Sequence, residues 1–125
     1  MGVSHIQPGI RNETGIAAMA LELREAFGER FQTGQAIRAQ HCHTTTWVPS
    51  QLPDGVVFIE TAADVEAIVR MADRHAVPLI PFGAGSSLEG QTNAPSGGFS
   101  LDFARMNKVL SVNAEDLDCT VEPGI

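Results

Sequence analysis

"VVFIETAADVEAIVRMADRHAVPLIPFGAGSSLEG", Val56 to Gly90, holds two apolar runs, a helical stretch between them and a glycine-rich loop after the second. Val56 to Ile59 is a continuous β-branched and aromatic run, the pattern of a strand buried on both faces. Thr61 with Asp64 three residues on reads as a capping box at a helix start. Val65, Ile68, Val69 and Ala72 then form one helical stripe that ends near His75. Val77 to Phe82 is a second apolar run bounded by turn residues. Strand, helix and strand in this order make a βαβ unit with parallel strands and a right-handed crossover.

Upstream, Ile16, Met19, Ala20, Leu23 and Phe27 fall on one stripe, which predicts a helix from Thr14 to Phe27. Thr14 reads as its N-cap and Gly28 as its stop. Residues 29–55 have weak periodicity and read as a connecting segment with a short helix near Ile37. Downstream, Gly97 and Gly98 make a turn, and Phe99 to Phe103 reads as a short strand. Val109 to Val112 is another strand, "AEDLD" a tight turn, and "CTVEPGI" the start of one more. The chain ends inside this pattern, so the expectation is a fragment of a longer protein. The domains read as a helical segment over 1–34 and an incomplete binding domain over 35–125.

The 125 residues carry a hydrophobic share of 43% and a net charge of -7. Eight basic residues against fifteen acidic ones do not supply the clustered cations that nucleic-acid binding uses. No apolar run approaches the ~20 residues that span a bilayer. The first residues, "MGVSHIQPGIRNETG", lack the basic flank and apolar core of a secretory signal, so a cytoplasmic chain is expected. Cys42 and Cys119 lie far apart without metal-type spacing and read as free thiols. "HCH", His41 to His43, suggests a metal cluster, but neighbours on a strand point to opposite faces, so no metal is expected.

An acidic chain can still hold a phosphate through backbone N–H groups. The loop Pro81 to Gly90 allows three such readings. A Rossmann fingerprint fails because Leu88 stands at the third glycine and the loop does not open a helix. A Walker A loop fails because Gln91 stands where a lysine reaches the terminal phosphates. A glycine nest remains: Gly83 and Gly85 permit close backbone approach, and Ser86 and Ser87 add hydroxyl donors. Such a nest suits a diphosphate that is held and not cleaved. Composition alone leaves it level with a loop that needs glycine only for its geometry.

Four elements in register, "PDGVVFIETAADVEAIVR", "PFGAGSSLEG", "MNKVLSVN" and "VEPG", resemble the FAD-binding domain of the vanillyl-alcohol oxidase and p-cresol methylhydroxylase superfamily. Within it the chain looks most like the D-lactate dehydrogenase and glycolate oxidase FAD subunit group. The resemblance covers about residues 35–125. It implies an α/β fold with a small parallel sheet as the first lobe of the domain and the start of a second lobe. It also implies non-covalent FAD. The diphosphate contacts carry over to Gly83, Ala84, Gly85, Ser86 and Ser87, with Gly90 shaping the loop exit. Pro81 and Phe82 flank the pocket, and Pro123 and Gly124 lie toward the adenine.

Relatives often carry histidine after the loop's last glycine, where this chain has Gln91. No histidine follows His75, so this segment offers none for a covalent tether. The activity implied is oxidation of a D-2-hydroxy acid by hydride transfer to FAD, with the substrate-binding and catalytic residues outside this chain. Another flavoenzyme of the same fold, a sugar-lactone oxidase or an ether-lipid synthase, is the alternative, as is a non-catalytic remnant that needs a partner chain. An electron acceptor is the other implied partner.

No catalytic set emerges from the residues themselves. Asp102 reads as a turn or cap residue, and His75 as a helix-terminal cation. Trp47 reads as a core or interface anchor. Glu115 to Asp118 reads as a solvated acidic turn, and Met71 and Met106 as core filler.

Overall fold

The computed structural model describes residues 10–42 and 46–125. Helix α1 runs Glu13–Phe27 and buries Ile16, Met19, Leu23 and Phe27, four members of the expected stripe. Its cap is Asn12, not Thr14: the Asn12 side chain accepts from Gly15 N at 3.0 Å. Asparagine caps as well as threonine does, and here it also reaches a second helix end. Gly28, at φ 55°, ends the helix as expected.

The segment after α1 is more ordered than its sequence suggests. A 3-10 turn, Gly28–Arg30, leads into a two-residue strand β1, Phe31–Gln32, and then into a short helix α2, Gln35–Gln40. Strand β1 pairs antiparallel with β2, Gly55–Phe58. Helix α3 spans Ala62–His75 and opens with the expected capping box, Thr61 and Asp64 each bonding the other's backbone N–H. Strands β3, Leu79–Phe82, and β4, Phe99–Asp102, complete a sheet of order β1-β2-β4-β3. Both β2 and β3 pair in parallel with β4, so β4 stands between the two strands of the βαβ unit.

Ile68 and Ala72 of α3 join α1, Val57, Ile59, Phe99 and Leu101 in one core, with Met71 and Met106 packed at its margin. Val69, on the expected stripe, is instead about half exposed. Phe31 of β1 meets Phe99 edge-on at 5.6 Å between ring centroids, an arrangement aromatic pairs favour. Burial of each such side chain stabilises the fold by about 1.5–3 kcal/mol.

The last strands, β5 Val109–Asn113 and β6 Asp118–Val121, form a separate antiparallel hairpin whose residues are exposed throughout. Trp47 is 92% exposed, so of the two roles read from the sequence it does not fill that of a core anchor among the described residues. No helix among them is long and apolar enough to cross a membrane.

Candidate functional site

The parallel strands β2, β4 and β3 end together at Phe58, Asp102 and Phe82, which share one register level. The glycine loop leaves β3 at this end of the sheet, the place where open α/β sheets receive ligands. Pro81 and Phe82 are the last residues of β3, and the chain turns at Gly85, φ 68°, and Gly90, φ 83°. A side chain at Gly85 would be strained by that φ and would bring its Cβ within 2.6 Å of Phe82 Cζ. Gly83 is open on its Cβ side, with the Pro123 carbonyl oxygen nearest at 4.0 Å.

Among the described residues, the N–H groups of Gly83, Ala84, Gly85, Ser86, Ser87 and Leu88 donate to no backbone carbonyl. These residues are exposed or half-buried, so the donors are free to meet a ligand. Gln91 closes the loop on itself, its Oε1 accepting from Glu89 N at 3.2 Å and from the Ser87 hydroxyl. Where a charged residue would add a ligand contact, the neutral amide here organises the turn.

Pro123 and Gly124 come to the same end of the sheet. Gly124 N donates to the Met106 carbonyl at 2.8 Å, and a side chain at Gly124 would collide with the Phe103 carbonyl oxygen. The "VEPG" turn therefore packs against the chain leaving β4, beside Gly83. Loop and turn, forty positions apart at Gly83 and Pro123, thus lie side by side.

One constellation was missed. His41, in the turn after α2, lies under the loop: its Nε2 is 2.7 Å from Asp102 Oδ2 and its Nδ1 2.7 Å from the Ile37 carbonyl oxygen. The side chains are 5% and 9% exposed. Burial opposes charge on His41, but the bonds to Asp102 and to Ile37 outweigh it and hold its pKa above the ordinary value. Burial likewise opposes charge on Asp102, and the bonds from His41 and from Ala104 N–H outweigh it and hold its pKa below. Asp102 does fill the expected turn role through Ala104, and it does more.

Of "HCH", the described residues His41 and Cys42 do not lie on a strand. His41 caps α2, Cys42 is buried and bonds the Ala39 carbonyl through its thiol, and His43 lies outside the described residues. Cys42 and Cys119 are free thiols, and burial pushes the Cys42 pKa up. His75 ends α3 and meets Glu22 Oε1 at 2.7 Å, tying α3 to α1. No group of metal-ligating side chains forms among the described residues.

A parallel sheet with its crossover helix and a strand-end glycine loop makes this an α/β domain. Residues 53–125 match the family described as "FAD binding domain". The chain is 36% identical over 97 residues to a probable mitochondrial D-lactate dehydrogenase of Danio rerio, covering 78% of this chain and 20% of that one. It is 32% identical over 97 residues to the glycolate oxidase subunit GlcD of Bacillus subtilis (strain 168), covering 78% and 21%. Among solved structures, a p-cresol methylhydroxylase superposes with TM-score 0.78 at 19% identity, covering 94% of this chain and 24% of that one. An alkyldihydroxyacetonephosphate synthase gives TM-score 0.74 at 25% identity, covering 87% and 24%.

The chain belongs to the FAD-binding domain family, and its fold is that of the p-cresol methylhydroxylase type. FAD is the cofactor this family binds. The chain spans about one fifth of the length of the relatives it matches.

Proposed function

We propose that the glycine loop holds the diphosphate of a non-covalently bound FAD. Backbone N–H groups of Gly83, Ala84, Gly85, Ser86 and Ser87 donate to the phosphate oxygens, Gly90 sets the exit of the loop, and Pro81 and Phe82 wall the pocket. Pro123 and Gly124 form the adenine side. The observation that carries this reading is the run of unpaired amides around Gly85, since a nest of that kind needs no lysine. A family domain over 35–125, following a helical segment over 1–34, fits this arrangement.

Bound there, FAD supplies a hydride acceptor, and the chain supplies binding and orientation. For the whole protein we read oxidation of a D-2-hydroxy acid such as D-lactate or glycolate, followed by electron transfer to a separate acceptor. The names of the Danio rerio and Bacillus subtilis relatives support it. The synthase superposition favours a second reading, a flavoenzyme of the same fold that acts on an ether-lipid precursor. Dye reduction dependent on D-lactate or glycolate, assayed on the whole protein, separates the two. Cytoplasmic residence is our reading for the compartment; the Danio rerio relative is named mitochondrial, and fractionation decides.

The direct test is a flavin titration of the 125-residue chain, followed by fluorescence quenching and thermal shift, with FMN as control. FAD should bind and FMN, which lacks the diphosphate bridge, should not. Gly85→Val should weaken FAD at least about tenfold, because the loop can no longer turn there. Equal binding of FAD and FMN, or an unaffected Gly85→Val variant, would refute the nest.

A further inference from the structure

We propose that His41 and Asp102 are a positioning pair that fixes the glycine loop in the shape the FAD diphosphate requires. This rests on the loop reading above. Gln91 braces only the later part of the loop, at Ser87 and Glu89; the amides from Gly83 to Leu88 have no backbone partners among the described residues. What the loop leans on is Phe82, the residue immediately before Gly83. The Gly85 backbone returns so close to the Phe82 ring that no Cβ fits between them. On its other contacts Phe82 meets the His41 ring, 4.4 Å between centroids and tilted by 46°.

The His41 ring itself has no freedom. One nitrogen faces the Ile37 carbonyl and the other faces Asp102, both at 2.7 Å. Phe58 closes a further side edge-on at 6.3 Å. Asp102 is held in turn by Ala104 N at 2.7 Å and by its place at the end of the central strand. The supports therefore run from β4 through Asp102, His41 and Phe82 to Gly85.

The pair acts by placement and not by offering charge to the phosphates. An imidazolium beside a carboxylate is neutral as a unit, and both groups are buried. Supporting groups of this kind set the precision of a binding site even when they touch no ligand.

Two variants of Asp102 divide the possibilities. In Asp102→Asn, the amide oxygen can accept from Ala104 N–H. Its NH2 can donate to a neutral His41 that still donates to Ile37, so every hydrogen bond survives. Asp102→Ala removes the support. Flavin fluorescence titration of the folded chains should show FAD weakened about tenfold by Asp102→Ala and close to wild type for Asp102→Asn. In the flavin-free chain, 15N relaxation at Gly83, Gly85 and Ser86 should fall from order parameters of about 0.85 toward about 0.6 in Asp102→Ala only.

If Asp102→Ala does not fold, Phe82→Leu tests the next link of the same support and should loosen the same amides. Unchanged loop order parameters in a folded Asp102→Ala or Phe82→Leu chain overturn the proposal, even where the melting temperature drops. A wild-type chain that fails to bind FAD refutes the function proposed above; the relaxation data then judge the pair by themselves.

Discussion

The Asn12 side chain serves two helix ends at once: its Oδ1 accepts from Gly15 N at 3.0 Å, and its Nδ2 donates to the His75 carbonyl oxygen at 2.8 Å. One amide thus caps the start of α1 and the finish of α3. Asparagine does this with two separate atoms on one amide; aspartate would cap α1 but has no donor for His75, and serine or threonine has a single hydroxyl oxygen in place of the two arms.

Asn12→Ala is expected to cost about 2 kcal/mol, roughly 1 for the lost cap and a similar amount for the lost bond to α3. Asn12→Asp should keep the first and lose the second, while setting a carboxylate against the His75 carbonyl. Urea denaturation checks both: the midpoint should fall in the order wild type, then each variant, with an unchanged slope. Full stability in Asn12→Asp would show that the link to α3 carries no weight.

At the far side of the same junction, Ala76 ends α3 in the left-handed region, at φ 51° and ψ 52°. Its side chain is exposed, so nothing is gained by having a Cβ there. Ala76→Gly should raise stability by about 0.5–1 kcal/mol, the relief of left-handed strain exceeding the extra freedom of glycine in the unfolded chain. A thermal melt shifted downward would contradict this.

The pH dependence of stability should carry the signature of His41 and Asp102. Folding raises the His41 pKa, so its contribution is full below about pH 6.5, the unfolded value, and is lost as pH rises through the folded one. Folding lowers the Asp102 pKa, so that contribution is full above about pH 3.9 and is lost as pH falls through its folded value. Besides Asp102, the groups packed around the ring are Phe58, Phe82 and the Ile37 carbonyl, none of which titrates, and Arg105 lies near Asp102. Denaturation from pH 5.5 to 8 should therefore show the wild type losing stability relative to Asp102→Asn. Parallel profiles would mean the pair is not ionic.

The sheet and the glycine loop were legible because their signals are local. "VVFI" and "VPLIPF" are dense apolar runs, and Thr61 with Asp64 is a motif four residues long, so β2, α3 and β3 lay open to inspection. The turn at Gly85 followed from glycine's freedom at positive φ. Strand β1 escaped because two residues, Phe31 and Gln32, have no periodicity to read. Asn12 was passed over for Thr14 because both are capping residue types, and only the reach to His75 separates them. His41 and Asp102 stand 61 positions apart, and nothing near either one announces the other. Their meeting is a product of topology: the strand that carries Asp102 inserts between two that precede it.

That insertion has a consequence for how the chain comes to be folded. Strands β2 and β3 bond not to each other but to β4, the last of the three to be made. On a ribosome the first strand waits with its inner edge uncovered until residues 99–102 emerge. Helix α3 can form early from its own capping box, but the sheet closes in a single late event that joins distant segments. Non-local closure of this kind is slow and leaves strand edges open to other chains in the interval. The strand that closes the sheet also brings Asp102 to His41, so the support proposed for the Gly85 loop is made in the same event.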